Sequence, residues 1–223
     1  MFAGHVGTAL IIGRAERRVN VGVFIFAALL LDVVLWLFIL LGWESVTIPS
    51  NFASTHQPEF VFPYSHSLVA SFSWSALVGG AAFVWRRRFR AARLRFAILA
   101  AAAVFSHWLF DALVHAPELP LAGADSPKVG LWLWQSMPVA LTVESLLVVA
   151  GLCLFIPGTS LSRARKVSLT ALSLLILAFT VVGMTLAPPA PSVVAMAASS
   201  LGTVIVVCAL GCWLGRLPIE TRA

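Results

Sequence analysis

Apolar residues in this chain fall into long stretches that short polar segments separate. A helix needs about 20 mostly apolar residues to cross the hydrocarbon core of a bilayer. Six stretches reach that length, at residues 21–43, 65–85, 96–115, 131–156, 167–186 and 192–213. Lipid offers no hydrogen-bond partner to an open backbone, so we expect helices in all of them. The pattern predicts an all-α fold, a polytopic membrane helix bundle with six transmembrane helices.

A shorter apolar segment precedes the first of these stretches. Residues 1–12 are apolar, and Arg14, Arg17 and Arg18 follow them. A secretory signal has the opposite order, with its charge before the apolar part, and the segment is too short to span a bilayer. We expect a short N-terminal helix. The sequence leaves open whether it dips into the membrane or lies along the surface.

The composition agrees with a membrane protein, and the distribution of charge predicts its orientation. Hydrophobic residues make up 60% of the chain and charged residues 11%, whereas about 25% charge is typical of soluble domains. Of the 15 lysine and arginine residues, all but Lys128 lie on the same side of the six stretches. Basic residues favour the cytoplasmic side, so both termini are expected in the cytoplasm and the spans in the inner (plasma) membrane.

One predicted connection, residues 86–95, is especially rich in arginine. Such a segment can bind nucleic acid or an acidic protein, but between two membrane helices contact with anionic lipid headgroups is more common. We therefore expect headgroup contact at 86–95 and no nucleic-acid partner.

Polar residues divide the chain into two parts. Every ionisable group inside a predicted span lies in residues 1–156, and the last two spans contain none. Residues 157–223 are therefore interpreted as a closing transmembrane hairpin with a short cytoplasmic tail.

Ionisable residues inside the spans are the first candidates for function, because each costs several kcal/mol in a bilayer. Asp32, His107, Asp111 and Glu144 lie within spans, His66 and His115 lie at outer ends, and His5 lies in the short N-terminal helix. At a rise of about 1.5 Å per residue, Asp32, His107 and Glu144 reach similar depths. The sequence thus predicts one polar cluster that extends from the middle of the membrane to its outer surface.

The residues His107, Asp111 and His115 follow one another at intervals of four. This spacing puts them in one stripe on a helix, where neighbouring members can share a metal ion. Imidazole and carboxylate ligands suit a divalent ion, and zinc in particular. Zinc polarises a carbonyl or phosphoryl oxygen and activates water. Glu144 is a candidate general base or a support for a ligand.

The sequence Ser-His-Ser at residues 65–67 raises the alternative of a serine nucleophile beside a histidine base. Ser65 and His66 are predicted at the start of the second span, and adjacent residues on a helix do not face each other. We therefore expect no Ser65–His66 pair and disfavour a serine hydrolase.

Several of these elements occur in a characteristic order. They are Gly4-His5, Leu31-Asp32, Tyr64-Ser65-His66-Ser67-Leu68, and Ser106-His107 with Asp111 four residues later. This set covers roughly residues 1–150 and resembles the membrane-bound metal-dependent hydrolases, also described as LexA-binding, inner-membrane-associated hydrolases. Residues 115–121 and 129–134 are similar to segments of its small polytopic members. The resemblance implies hydrolase activity and a metal site formed by His5, Asp32, His66, His107 and Asp111.

The chain departs from the family pattern at two positions. Family members often have Pro-Asp-x-Asp where this chain has Asp32 alone, and Ser65 stands where they have threonine. One carboxylate fewer is therefore available for a second metal or for catalysis. We expect His115 and Glu144 to compensate as catalytic residues.

The sequence therefore predicts an integral-membrane metal-dependent hydrolase with an outward-opening site for an ester or phosphoester, including lipid-linked ones. Two alternatives stay open. A polar path through a bilayer is also typical of a proton or metal-ion permease. A structural or regulatory membrane protein could use the same residues without catalysis.

Overall fold

The computed structural model describes residues 1–85 and 90–217, except for the side chains at 90 and 91. Its helices are α1 (Ala3–Ala15), α2 (Val21–Leu40), α3 (Phe52–Thr55), α4 (Leu68–Trp85), α5 (Arg90–Val114), α6 (Met137–Phe155), α7 (Arg163–Thr185) and α8 (Val193–Leu214). Within the described residues, 6 helices are long and apolar enough to cross a membrane. The predicted all-α bundle, with its short N-terminal helix, is confirmed, and the chain is a multi-pass membrane protein in contact with the lipid bilayer.

Two helix starts differ from the prediction. α4 begins at Leu68 rather than at residue 65. The Oγ atom of Ser67 accepts a hydrogen bond from the N–H of Ala70 at 3.1 Å, as capping residues do at the start of a helix. α5 is already helical at Arg90, the first described residue after position 85, and the alanine and arginine residues before the predicted span favour helix. The predicted headgroup contact falls partly on residues 86–89, which lie outside the described residues, as do residues 218–223.

Two connections, residues 41–67 and 115–136, form a cap over one end of the bundle. The cap contains β1 (Ser45–Thr47), β2 (Glu59–Val61), β3 (Leu119–Pro120) and β4 (Lys128–Val129), which pair antiparallel as β1–β2 and β3–β4, with Val46 opposite Phe60 and Leu119 opposite Val129. Phe60, Phe62 and Leu119 share a buried cluster with Leu35 and Ile39 of α2. These apolar contacts fix the cap on the end of α2.

Of the candidate spans, α2 is the most buried, with 50% of its apolar window inside the protein. It packs against α8, α5 and α1. A Cβ atom at Gly22 would come within 2.3 Å of the backbone of Cys212, so glycine allows α2 and α8 to touch. Asn20 caps α2 by accepting from the N–H of Gly22 at 2.9 Å, and its Nδ2 donates to the carbonyl of Cys212 at 2.7 Å. The start of α2 is therefore tied to the end of α8.

The short helix α1 lies inside the bundle, which decides between the two alternatives that the sequence left open. Residues Ala3 to Leu10 are buried, and α1 packs mainly against α6. A Cβ atom at Gly7 would lie 2.5 Å from the backbone carbonyl of Leu147, and one at Gly151 would lie 2.4 Å from the carbonyl oxygen of Gly7. Glycine at both positions lets the two backbones approach this closely.

Arginine side chains gather at the end of the bundle opposite the cap, which we call the basic end. Arg14 donates to the carbonyl of Leu154 at 3.3 Å. Arg95 donates to a backbone carbonyl at the end of α1, and Arg165 donates to the carbonyl of Arg216. Positive charges from α1, α5 and α7 therefore meet at the same end.

The two parts of the chain share a core. The largest buried cluster contains Phe24, Ala100 and Val148 from residues 1–156 together with Ile176 and Val207 from residues 157–223. The division at residue 156 into separate units stays a prediction.

Candidate metal centre

Four helices and one turn bring the predicted site residues together beneath the cap. Asp32 lies on α2, His107 and Asp111 on α5, His5 on α1, Glu144 on α6, and His66 in the turn before α4. Asp32, His107 and Glu144 lie within their helices at about 10–12 Å from the cap end, given a rise of 1.5 Å per residue. Their similar depth, which follows from sequence position alone, allows them to meet.

The carboxylate of Asp111 is the centre of the cluster and is only 2% exposed. Its Oδ2 atom lies 3.1 Å from Nε2 of His107 and 3.5 Å from Nε2 of His66. Its Oδ1 atom lies 3.1 Å from Nε2 of His5 and 2.8 Å from the amino group of Met1. One buried carboxylate therefore contacts groups from α1, from α5 and from the turn before α4.

Hydrogen bonding determines which nitrogen of His107 carries the proton. Nδ1 lies 2.6 Å from the carbonyl oxygen of Ala28 on α2. A carbonyl oxygen only accepts, so Nδ1 must donate, and Nε2 of the neutral ring keeps its lone pair. This Nε2 lies 3.1 Å from Nε2 of His66 and 3.6 Å from Oδ1 of Asp32. The lone pair of His107 is therefore surrounded by other candidate ligand atoms.

A chain of hydrogen bonds from the cap determines the tautomer of His66 in the same way. The hydroxyl of Ser65 donates to Oε2 of Glu44 at 2.7 Å, and Ser65 Oγ lies 2.8 Å from Nδ1 of His66. When Glu44 is ionised it takes the only hydroxyl hydrogen, so that Oγ accepts from Nδ1–H and Nε2 of His66 keeps a lone pair. Burial raises the pKa of the Glu44 carboxyl, and hydrogen bonds from Ser65 and Tyr64 oppose that rise.

The two tautomers create a group of acceptors with no hydrogen atom to share. The Nε2 atoms of His66 and His107 are 3.1 Å apart, and oxygen atoms of Asp111 and Asp32 lie beside them. Acceptors this close repel one another in a buried site unless a cation, either a metal ion or an added proton, lies among them. The amino group of Met1 supplies positive charge at Oδ1 of Asp111, and the geometry favours a further cation between Oδ2 of Asp111 and the Nε2 atoms of His66 and His107.

The chemical types of these residues fit a divalent metal ion. In each of two groups, His5–His107–Asp111 and Asp32–His66–His107, one ligand atom per residue lies within 4.8 Å of the others. Imidazole nitrogen and carboxylate oxygen are ligands of zinc and related ions. The hydrogen bond from the other ring nitrogen of His66 and of His107 is what ligating histidines generally make. The buried His/Asp cluster could therefore hold a metal ion.

His5 approaches the cluster from α1. Its ring stacks on that of His107 with the centroids 3.7 Å apart. Nε2 faces Oδ1 of Asp111, whereas the buried Nδ1 has no hydrogen-bond partner among the described residues. A buried polar atom of this kind is commonly satisfied by a group from outside the chain, such as water or an ion.

His115 lies directly after α5 and turns back toward the cluster. Its Nδ1–H donates to Oε1 of Glu118 at 2.6 Å, and its Nε2 lies 3.9 Å from Oδ2 of Asp111. Glu118 is held by the N–H of Phe60, which donates to its Oε2 at 3.1 Å. His115 belongs to neither three-residue metal group. Its predicted catalytic role stays a prediction.

Glu144 is a residue of α6, and its side chain lies against the start of α1. Its Oε2 atom accepts from the backbone N–H groups of Phe2 at 3.1 Å and Gly4 at 3.0 Å. A carboxylate at a helix N-terminus satisfies N–H groups that have no partner within the helix and interacts favourably with the helix dipole. Glu144 therefore anchors α1 and with it His5. Its role as a general base stays a prediction.

A cavity of about 340 Å³ leads to the cluster. Its polar end consists of Asp32, His66, Asp111, His115 and Glu144. The rest of the lining is mostly apolar and comes mainly from α2, α7, α8 and the cap, but it includes four hydroxyl side chains on α7 and α8, those of Thr180, Ser199, Ser200 and Thr203. Cavities of this size and character are typical of small-molecule sites. The cluster is therefore accessible to a ligand.

The expectation that Ser65 and His66 do not pair is wrong. Both residues lie in the turn before α4, where adjacent side chains can meet, and Oγ and Nδ1 are 2.8 Å apart. Ser65 is fully buried and does not line the cavity. The pair therefore orients His66 and does not present an accessible nucleophile.

Glu44 and Glu118 lie outside the six predicted spans and are absent from the sequence-predicted site. Each of them instead orients a histidine of the site. Glu118 is three residues from His115, a spacing that suits a local contact. Glu44 lies 21 residues before Ser65, so no local pattern marks it.

A scan against protein-family models, a search of curated proteins and a search of solved structures each found no match to this chain. The family resemblance drawn from the ordered motifs therefore stays a prediction.

Replacing His107 with alanine is expected to abolish stoichiometric zinc binding, because His107 belongs to both three-residue groups. Zinc per protein is measured by mass spectrometry after gel filtration. His56→Ala is the matched control, since His56 lies in the cap and donates to the carbonyl of Ala187 at 3.0 Å. Wild-type protein without bound metal, or His107→Ala protein with the full amount, would contradict the metal centre.

Replacing Ser65 with alanine is expected to weaken zinc binding by about 10- to 100-fold, because His66 loses the acceptor that orients its ring. The affinity is measured by competition with a zinc chelator. Ser73→Ala is the matched control, because the exposed Ser73 on α4 only donates to its own helix, at the carbonyl of Val69. Equal zinc affinity in the two variants would show that the hydrogen-bond chain from Glu44 has no influence on the metal.

Proposed function

We propose that the protein is an integral-membrane metal-dependent hydrolase that acts on an ester or phosphoester. The observation that supports this proposal is the group of facing acceptors at the polar end of a cavity. Such a group can hold a divalent ion, zinc by ligand type, beside a space for a substrate. The ordered motifs that resemble the membrane-bound metal-dependent hydrolases favour the same function.

In this proposal His66, His107, Asp111 and Asp32 hold the metal, and His5 completes the site from α1. The ion would polarise a carbonyl or phosphoryl oxygen and make water more acidic. Ser65 and Glu44 keep Nε2 of His66 available as a ligand atom, and the carbonyl of Ala28 does the same for His107. Exclusion of bulk water by the cap strengthens these electrostatic interactions.

His115 is the best-positioned proton acceptor. Its Nδ1–H is bound to Glu118, so Nε2 keeps its lone pair. This Nε2 lies 3.9 Å from Oδ2 of Asp111, and His115 lines the cavity. In hydrolysis the oxygen atom of water bonds to the carbon or phosphorus atom, and the bond to the ester oxygen breaks. His115 takes the proton from water and returns it to the ester oxygen, which leaves as an alcohol. The products together contain the atoms of the ester and one water molecule.

Replacing His115 with glutamine is expected to lower kcat by about 10²- to 10⁴-fold, which is typical of a lost general base, while the zinc content stays unchanged. Hydrolysis of bis(4-nitrophenyl) phosphate and of 4-nitrophenyl acetate by the purified protein measures the effect. His56→Gln is the matched control. Asp111→Asn is expected to lose zinc and activity together.

Two results would argue against the enzyme. If zinc-loaded wild-type protein hydrolyses neither probe, the proposed hydrolase activity is excluded. Zinc or proton flux in proteoliposomes would instead favour a permease. A His115→Gln protein with wild-type kcat would exclude His115 as the base.

We also propose that the cap faces outward and the basic end faces the cytoplasm, where its arginines contact anionic headgroups. The excess of arginine at one end of the bundle supports this orientation. The metal centre then lies beneath the cap, toward the outer face of the inner (plasma) membrane.

The two lysine residues allow a direct test of orientation, since Lys128 lies on β4 in the cap and Lys166 lies near the start of α7 at the basic end. A membrane-impermeant amine reagent applied to intact cells is expected to modify Lys128 and to leave Lys166 unmodified. Peptide mass spectrometry reads out both sites, and permeabilised cells provide the control. Labelling of Lys166 alone in intact cells would reverse the proposed orientation.

A further inference from the structure

We infer that the cavity takes an amphiphile with one long apolar tail, which enters from the bilayer between α7 and α8. The inference rests on the proposed function, since it places the ester or phosphoester head at the metal centre. It adds the chemical class of the substrate and the route by which that substrate arrives.

The cavity is covered on the side of the cap. The ring of Trp134 lies 4.2 Å from that of His115, and the rings of Phe60 and Phe62 each lie 6.1 Å from it. Phe60 and Phe62 are buried and Trp134 is half-buried. Aromatic side chains therefore lie between the polar cluster and the aqueous phase above the cap.

The cavity is open on the side of the last two helices. Among the residues that line it, the two exposed ones are Phe179 on α7 and Ser199 on α8. Phe179 is 56% exposed although it also faces the cavity. The lining therefore reaches the molecular surface on α7 and α8.

These two helices leave room between them. α8 packs along α2, whereas α7 makes few contacts with α8 although they are consecutive. Only 22% of the apolar window of each is buried, compared with 50% for α2. In a bilayer, acyl chains surround exposed apolar helix faces of this kind. The opening between α7 and α8 is thus a passage from lipid to the polar cluster.

The opening between α7 and α8 lies at a depth in the bundle that suits an amphiphile whose head is at the metal centre. Phe179 lies six residues before the end of α7, and Val204 lies eleven residues after the start of α8. At about 1.5 Å per residue, the cavity lining on these helices extends from about 2 Å below their cap end, at Met184 on α7, to about 17 Å below it, at Val204 on α8. Asp32 lies about 12 Å below the cap end of α2. A head at the metal centre therefore leaves its tail beside α7 and α8 at the depth of acyl chains.

The chain offers a matched pair of positions for a test. A Cβ atom at Gly183 or at Gly202 would meet no heavy atom within 4 Å. Gly183 on α7 lines the cavity, whereas Gly202 on α8 does not. The same large side chain at the two positions therefore fills the passage in one protein and faces away from it in the other.

Equilibrium binding of radiolabelled hexadecyl phosphate to the purified protein in detergent tests the inference. Wild type and Gly202→Trp are expected to bind it equally, and Gly183→Trp at least tenfold more weakly. Gly183→Leu, with a smaller side chain, is expected to show an intermediate loss and covers the case in which Gly183→Trp does not fold. Ethyl phosphate, which has no long tail, is expected to bind wild type more weakly than hexadecyl phosphate.

Each contrary result overturns the inference. Wild-type affinity in both Gly183 variants would exclude the passage, and an equal loss in Gly202→Trp would show that the effect does not depend on the cavity. Equal affinity for ethyl and hexadecyl phosphate in wild type would exclude the tail. Zinc content and hydrolysis of soluble esters are measured separately. A protein that keeps both and fails these binding tests retains the proposed function and loses only this inference.

Discussion

The pairing of the buried Asp111 carboxylate is the interaction on which the rest of the structure depends. A carboxylate in an apolar interior costs several kcal/mol unless charged or hydrogen-bonding partners surround it. Its partners come from separate elements: the amino group of Met1 just before α1, His5 on α1, His107 on its own helix and His66 in the turn before α4. Satisfying this one group therefore requires α1 to be inserted, and it requires the turn between the cap and α4 to be in its observed place.

Two further sets of contacts hold His5 and His66 beside Asp111. Glu144 accepts from the first N–H groups of α1, and the glycine contacts at Gly7 and Gly151 bring α1 against α6. On the other side, Glu44 and Ser65 orient His66 from the cap. The polar cluster thus connects the interior of the bundle with the segments above it, and a change in either region is transmitted to the ligand atoms.

The surroundings of the cluster decide what chemistry it can support. Facing lone pairs attract a cation, and a mostly apolar cavity beside them keeps the local dielectric constant low, so that charge interactions are strong. The polar end is built from α2, α5, α6, the turn before α4 and the residue that follows α5, whereas the other walls also use α7 and α8. The closing hairpin therefore contributes a wall of the candidate site, although its predicted spans, residues 167–186 and 192–213, contain no acidic, basic or histidine residue.

The amino-acid sequence by itself determined the spans and the depth of the polar residues, because bilayer thickness and the fixed rise of a helix translate position directly into height. It could therefore indicate that Asp32 and His107 meet and that Glu144 lies at a similar depth. Only the tertiary structure showed that α1 lies inside the bundle. This position depends on the close backbone contact between α1 and α6, which Gly7 and Gly151 allow. Only the tertiary structure showed the role of Glu44, because its partner Ser65 is distant along the chain. The opening beside α7 and α8 was also visible only there. The physical reason is that sequence position gives height along a helix, whereas neighbours in the bundle depend on how all the helices pack at once.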